Sequence, residues 1–285
     1  MVQNNLEKPK RATSTVGHTD HNNDWRSYMR APNMPGLDAI ATDRPGDGIS
    51  PQAMLASAFV LAKIGDPAGA REQLRHMTSA TDETDPAVGT HAADLLLVDA
   101  HVRVYEDRAL TEEHSARLKR LLSTLPASDQ VGQALTFNHL STAALHRGEF
   151  DRAQDHAENA IRLYLLGGAR FGSLHMHTHL GQIRMMRGDL TGAIAQYDQM
   201  ERSLDQLDGD LQGLRAICKA LKSEVYYEMN KMGDAQSLLA DALTSIEQTD
   251  AWLDVLAATY RVRARLAVVQ AGLPGALSEL AHADA

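Results

Sequence analysis

The chain has 285 residues, of which 44% are hydrophobic, 23% charged and 5% aromatic. This apolar content is enough to build a core, so it excludes a wholly disordered chain. The net charge is −9 and the sequence has no block of five or six Lys and Arg residues, which disfavours direct binding of nucleic acid. The single cysteine, Cys218, excludes a disulfide framework and a cysteine-based zinc site.

Targeting signals are absent from the sequence. The N-terminal residues MVQNNLEKPKRATS lack the apolar stretch of a secretory signal. The longest apolar run, residues 95–98 with small neighbours, is far too short to span a membrane. We therefore predict a cytoplasmic protein that makes no membrane contact.

Residues 1–50 differ in composition from the rest of the chain. They hold four prolines and four glycines and few aliphatic side chains. Such a segment cannot bury enough surface to offset its ordering entropy. Two interpretations stay open: a largely disordered extension, or one whose segment 24–29 forms a helical turn and docks Trp25 and Tyr28 on the domain.

Residues 51–285 consist of Ala- and Leu-rich stretches at helical spacing, which predict one helical domain. Ser50 before Pro51, and Asp85 before Pro86, each place a good N-cap ahead of proline at the first helical position. Alternation of the strand type is absent. We predict about twelve helices and no strand.

A turn signature recurs through this domain with a period of about 41 residues. Its copies begin at Gly65, Gly148, Gly188, Asn230 and Ala271. Gly or Asn suits the left-handed conformation that ends a helix, and the acidic residue that often follows suits the N-terminus of the next one. The interval from Gly65 to Gly148 is two periods, which predicts a degenerate repeat that turns near residues 106–110.

Small residues recur twelve positions apart around these turns. The pairs are Ala58 and Ala70, Ser141 and Ala153, Gly181 and Ala193, Ser223 and Ala235, and Ala264 and Ala276. Small residues at a crossing allow two antiparallel helices to approach closely. The pattern predicts an all-α, right-handed superhelical α-solenoid of about six antiparallel helix pairs.

The small-residue pairs and the Gly-Asp-Leu-x-x-Ala turns resemble tetratricopeptide repeats, with helices about one turn longer than usual. HEAT-like repeats have a similar period but do not explain the small-residue spacing. Residues 226–230 and 252–266 resemble the sensor region of MalT-like, LuxR-type ATP-dependent transcriptional regulators. The resemblance covers roughly residues 50–285.

The chain also departs from those regulators. It has no G-x-x-x-x-G-K-[ST] motif, and no helix-turn-helix module follows the last repeat. It is therefore either a fragment of a larger regulator or a free-standing repeat protein. The resemblance implies a non-catalytic, signal-sensing or regulatory module without a cofactor. The alternative is a free-standing scaffold or adaptor that recognises a peptide or helix. A homo-oligomer is compatible with both.

The first helix of each pair is expected to line the concave face of the solenoid. In each first helix, we expect the residues three positions before, one position after and five positions after the small residue to point into the groove. These positions, with a histidine one turn earlier, give a polar set: Asn138, Thr142, His146, His175, Thr178, Gln182, Glu224, Glu228, Arg261 and Arg265. Arg261 and Arg265 lie one turn apart, so we expect them to clamp a carboxylate or phosphate jointly. The expected partner is a protein, a peptide or a small anionic ligand.

A metal-dependent enzyme is a third hypothesis, which ranks below the other two. His175 and His179 have the i, i+4 spacing that chelates zinc, nickel or copper, and His139 and His146 are expected on the neighbouring first helix. No carboxylate lies at helical spacing from that pair, and no H-E-x-x-H motif occurs. Cys218 falls in an apolar stretch and is interpreted as a core residue. We predict no metal and no catalytic residue.

Overall fold

The structure, a computed structural model, describes residues 24–30, 50–63, 65–79, 86–106, 108–207, 211–246 and 253–283. Within these ranges the protein is all-α, as predicted: a short 3₁₀ helix, Trp25–Met29, precedes eleven α-helices and no strand is present. The α-helices are α1 (Pro51–Lys63), α2 (Pro67–Ser79), α3 (Pro86–Tyr105), α4 (Glu112–Leu122), α5 (Gln130–His146), α6 (Phe150–Leu166), α7 (Arg170–Met186), α8 (Leu190–Leu204), α9 (Gln212–Glu228), α10 (Met232–Ile246) and α11 (Leu253–Ala283). None of the described helices is both long enough and apolar enough to cross a membrane.

The helices pack in adjacent pairs. The most extensive contacts lie within the pairs α1–α2, α5–α6, α7–α8 and α9–α10. The first helices of successive pairs also contact one another, in the order α1, α3, α5, α7, α9 and α11. The surface that these first helices share is called the first-helix face below. The pair α3–α4 makes fewer contacts, as expected of a degenerate repeat, and its turn falls between residues 105 and 112 as predicted.

The turns between paired helices have the backbone conformation that the signature predicts. Gly65, Gly148, Gly188 and Asn230 all have positive φ, between 61° and 85°. The last copy corrects the prediction by one residue, because Gly272 rather than Ala271 has positive φ, at 69°. Gly272 kinks α11 into two arms. A glycine accepts this conformation because it has no Cβ to clash with the backbone.

The small-residue pairs lie where paired helices cross. At the α7–α8 crossing, a Cβ built on Gly181 would lie 2.4 Å from the Tyr197 Cζ atom. Tyr197 lies one helical turn after Ala193, which is itself buried at this crossing. At the α5–α6 crossing, the Ser141 hydroxyl donates to the Ala153 carbonyl at 2.9 Å. Backbones this close leave no room for larger side chains. The crossing within the kinked α11 is looser, since Ala264 is half-exposed.

The 3₁₀ helix docks on the first-helix face, against α1, α5 and α7. Trp25 and Tyr28 are 2% and 4% exposed, and both rings pack on Phe59 of α1. The Arg26 guanidinium binds the carboxylates of Asp129 at 2.6 Å and Asp94 at 2.7 Å. Residues 24–30 therefore lie docked on the helical domain. The rest of the predicted 1–50 extension lies outside the described residues, apart from residue 50.

Candidate functional site: a cavity on the first-helix face

A cavity of about 60 Å³ opens on the first-helix face. Side chains from α1, α3, α5 and α7 line it, and Met29 of the docked segment completes the wall. Its polar lining residues are Lys63, His101, Tyr105, Asn138, His139, Thr142, His175, His179 and Gln182. Leucine and valine side chains of α3 and α5 fill the rest of the lining. A concave, largely apolar surface with a few convergent polar groups is the usual form of a small-molecule site.

The histidines form a row across three successive first helices. His139 on α5 and His179 on α7 each lie two residues before the small residue of their repeat, so the repeat geometry places them in equivalent positions. His101 on α3 continues the row, with its ring centroid 6.1 Å from that of His139. The His101 ring also stacks on Phe59 at a centroid distance of 4.0 Å and an interplanar angle of 12°. We call this set the imidazole cavity.

Burial keeps these imidazoles uncharged. His101, His139 and His175 are each at most 9% exposed. Desolvation lowers the pKa of His101 and His175 well below the ordinary value, and the positive charge of Lys63 adds to both effects. Desolvation lowers the pKa of His139 to about 4, although the nearby Leu97 carbonyl partly opposes this. At neutral pH each ring is therefore neutral, with one nitrogen that donates and one that accepts.

Some polar atoms of this row lack a hydrogen-bond partner. The Nε2 atom of His101 is buried and has no partner in the described part of the chain. The ring nitrogens of His139 are also buried, and the Leu97 carbonyl interacts with this ring and opposes part of the lowering of its pKa. Buried polar groups without partners are rare because each costs about 1–3 kcal/mol. Because His101 also lines the cavity, its imidazole ring is a candidate contact for a bound molecule.

The imidazole cavity does not have the composition of a metal centre. Among the described residues, no group of three or more His, Cys, Asp and Glu side chains is arranged to hold a metal ion. His175 and His179 do lie one turn apart on α7, but the described lining includes no carboxylate to join them. The i, i+4 spacing that suggested a chelating pair therefore places two imidazole rings in the lining of the cavity.

Four of the ten predicted groove residues, Asn138, Thr142, His175 and Gln182, line the imidazole cavity. Thr178 does not, because it is fully buried and its hydroxyl donates to the His175 carbonyl at 2.6 Å. Helix α7 is enclosed by α5, α6, α8 and α9, so the position three before its small residue faces a neighbouring helix. His146 lies exposed at the end of α5, outside the cavity lining.

The remaining predicted residues lie on α9 and α11 and pair with one another. Arg261 binds the buried Glu224 carboxylate through its Nε atom at 2.9 Å and through a second guanidinium nitrogen. Arg265 binds Glu228 at 2.7 Å. We call these four residues the charge-paired patch. The predicted joint clamp is therefore corrected: the arginines share one helix face, but each already holds a carboxylate of the preceding first helix.

Sequence reasoning missed several of the cavity residues, among them His101, Lys63 and Met29. His101 belongs to the degenerate repeat, where no turn signature fixes the register. Lys63 ends the first helix of the first repeat, and Met29 comes from the segment before the repeats. The shared repeat position of His139 and His179 was a usable signal, because equivalent positions of stacked repeats form a continuous surface.

Cys218 is a core residue, as interpreted from the sequence. It is fully buried on α9, and its thiol lies 3.5 Å from the Tyr197 carbonyl oxygen. Burial raises the pKa of the thiol, so the nucleophilic thiolate is disfavoured. This residue does not form part of the cavity lining.

Comparison with known proteins gives no family for this chain. No protein-family model matches it, and the search of curated proteins finds no match. The fold and the site described above therefore carry the functional argument.

Proposed function

We propose that this chain is a non-catalytic helical repeat protein that binds a small ligand in the imidazole cavity and acts as a cytoplasmic signal-sensing module. The observation that carries the proposal is a cavity lined by His101 and His139, in which the buried Nε2 atom of His101 has no hydrogen-bond partner among the described residues. A protein gains no stability from such atoms, since leaving them unpaired costs free energy. A bound molecule that pairs with them recovers that cost.

A solenoid of tetratricopeptide type suits this role, and the order of contacts supports it. Each first helix contacts the next first helix, and each second helix packs against its own partner. Repetition of this arrangement gives a right-handed superhelical stack. Six pairs result when the two arms of α11, on either side of Gly272, are counted as the last pair. A ligand that contacts α3, α5 and α7 would fix the spacing of three repeats. That change in spacing is the signal that a sensor passes on.

The chemistry of the cavity supports binding rather than catalysis. A general base works best when its pKa lies near the working pH. The pKa of His139 is lowered to about 4 and that of His101 well below the ordinary value, which makes both rings weak bases at neutral pH. We also propose that the sensing module serves transcriptional regulation. This part of the proposal rests on the resemblance of residues 226–230 and 252–266 to LuxR-type regulators.

A blocked cavity tests the proposal. Gln182 is half-exposed at the cavity wall, so Gln182→Trp should fill the cavity with little strain on the core. Gln199→Trp, on the exposed surface of α8, is the matched control. In a thermal-shift screen of a metabolite library, ligands should raise the melting temperature of the wild-type chain and of Gln199→Trp, but not that of Gln182→Trp. Ligands that stabilise all three proteins equally would place binding elsewhere.

A second candidate function is a scaffold or adaptor that recognises a short peptide or helix of a partner. The specific observation is the docked segment itself, because the first-helix face already holds a one-turn helix by its Trp25, Tyr28 and Met29 side chains. A peptide with the sequence of residues 22–32 tests this candidate. If the adaptor function is right, the peptide binds a truncated chain that starts at residue 50. The peptide also competes with cellular partners for that chain. If it binds but competes with none, residues 24–30 are a structural part of the domain.

A further inference from the structure

We infer that two copies of this chain associate through an uncharged apolar patch at the kink of α11. The patch consists of Val268, Val269, Leu273 and Leu277, which lie on the two arms that meet at Gly272. These side chains are 49–66% exposed. Seven large hydrophobic side chains are exposed among the described residues, and four of them lie within these ten positions. Such a concentration of exposed apolar surface marks an interaction site.

The place of α11 in the stack explains why the patch is left uncovered. Each pair from α1–α2 to α9–α10 has the first helix of the next pair packed against it. Helix α11 packs on α9 and α10, and the described part of the chain adds no further pair beyond it. A terminal repeat of a solenoid needs a polar outer surface to remain soluble alone. Helix α11 instead exposes aliphatic side chains, so another surface is needed to cover them.

Charge favours a second copy of this chain as that surface. Residues 266–278 contain no charged residue and no histidine, although 23% of the chain is charged. Two copies that each carry a net charge of −9 repel one another wherever their acidic surfaces meet. A contact made at an uncharged patch avoids this repulsion, and a twofold axis brings the same patch of both copies together. A partner recognised by its charge would find no group to pair with here.

The charged side chains that border the patch are paired within the chain. Arg265, before the patch, binds Glu228 at 2.7 Å. Glu279, after the patch, binds Arg263 at 2.5 Å. Because these ion pairs close within one copy, the border of the patch is close to neutral and can approach the same border of a second copy. An apolar centre with a polar rim is the usual anatomy of a protein interface.

Sedimentation velocity of the full chain over a wide range of concentration tests this inference. We expect the wild-type chain to shift from the mass of one chain to that of two as the concentration rises. Val269→Glu and Leu273→Glu should each weaken the dimer about tenfold or more, because an unpaired carboxylate is costly to bury in an apolar contact. Leu166→Glu is the matched control, since Leu166 is 60% exposed at the end of α6, and it should leave the dissociation constant unchanged.

All three substituted side chains are exposed, so each variant should fold, and circular dichroism checks that it does. Salt then separates an apolar contact from one held by ion pairs. Added salt screens the repulsion between two negatively charged copies, so the dimer should become tighter or stay unchanged.

Three results would overturn the inference. The first is a wild-type chain that stays monomeric at every concentration. The second is a dimer that Val269→Glu and Leu273→Glu leave intact, or that Leu166→Glu disrupts as strongly, because the contact would then lie elsewhere. The third is a dimer that salt dissociates, which would assign the contact to ion pairs. The imidazole cavity lies on other helices, so none of these results bears on the proposed ligand site.

Discussion

The two ends of the first-helix face use polar side chains in opposite ways. In the imidazole cavity, between α1 and α7, the buried Nε2 atom of His101 has no hydrogen-bond partner within the described part of the chain. In the charge-paired patch, on α9 and α11, Glu224 and Glu228 pair with Arg261 and Arg265. Polar groups that pair internally hold neighbouring repeats together, whereas groups left over at a cavity are available to a ligand. The comparison therefore locates the binding site where the internal pairing is incomplete.

The largest expected effect is that acid destabilises the imidazole cavity and not the charge-paired patch. The pKa of His139 falls from 6.5 to about 4 on folding, so the unfolded chain takes up the proton first as the pH falls. The contribution of this neutral ring is complete above pH 6.5 and is lost as the pH falls from 6.5 towards 4. Each such ring lowers the free energy of unfolding by about 1.3 kcal/mol between pH 7.5 and 5.5, and His101 and His175 add to it.

Urea denaturation at several pH values measures this loss. His139→Leu should make the free energy of unfolding less dependent on pH between 6.5 and 5, whereas His76→Leu, at an exposed site on α2, should leave the dependence unchanged. A wild-type chain whose stability is flat across this interval would show that the rings are not held neutral.

The next effect concerns the docked segment that closes one wall of the cavity. Arg26→Met should cost about 2–3 kcal/mol, because it leaves the largely buried carboxylates of Asp94 and Asp129 without their cation. The pKa of Asp129, which Arg26 holds below its ordinary value, should rise. Arg30→Met changes an exposed arginine of the same segment and should cost less than about 0.5 kcal/mol. Trp25 fluorescence, in a Trp252→Phe background, should shift to the red for the first variant and not for the second.

The pair α7–α8 joins the two regions, and its crossing is tight. Gly181→Ala should cost about 1–3 kcal/mol, because the new Cβ would lie 2.4 Å from the Tyr197 ring. Gly233→Ala on α10 meets no atom within 4 Å and should be neutral or slightly stabilising. Chemical denaturation of both variants measures the difference. Equal midpoints for the two would show that the helices do not cross at Gly181.

Within the charge-paired patch, burial should rank the two ion pairs. Glu224→Gln should cost about 1 kcal/mol, because the Glu224 side chain is 5% exposed and accepts two hydrogen bonds from Arg261. Glu228→Gln should cost less than about 0.5 kcal/mol, since both partners of that pair are more than 40% exposed. Denaturation at low and high salt checks this order, and a reversed order would contradict the role assigned to Glu224.

The smallest expected effect has the opposite sign. His101→Phe should leave the free energy of unfolding within about 0.5 kcal/mol of wild type or raise it, because the substitution removes a buried polar atom that has no partner among the described residues and keeps the stack on Phe59. The same variant should weaken binding of the ligands that the thermal-shift screen finds. A clear loss of stability without a loss of binding would mean that His101 serves the fold.

The sequence predicted the parts of this structure that depend on local rules. Gly148, Gly188 and Asn230 were expected to have positive φ because a helix-ending turn requires it, and they do. The small-residue pairs followed from the close approach of paired helices. These features repeat along the chain, so each copy strengthened the interpretation of the others.

The site was harder to predict because it depends on contacts between distant residues. Glu224 and Arg261 lie 37 positions apart, and no local sequence pattern indicates that the Arg261 guanidinium already binds the Glu224 carboxylate. Thr178 lies at a position that faces the groove in an isolated helix pair but faces a neighbour within the stack. His101 lies in the degenerate repeat and Lys63 lies at the end of a helix. In both places the repeat pattern does not fix which residues face the groove.

The most direct test of the account follows the side chains of both regions in one experiment. Nitrogen-15 NMR of the imidazole rings and of the arginine Nε groups is recorded while a ligand found in the thermal-shift screen is added at pH 7. We predict that His101 and His139 are neutral, that their signals move and saturate at one ligand per chain, and that the signals of Arg261 and Arg265 stay unchanged. Movement of the Arg261 and Arg265 signals, with His101 and His139 unaffected, would contradict it and place the binding site on the charge-paired patch.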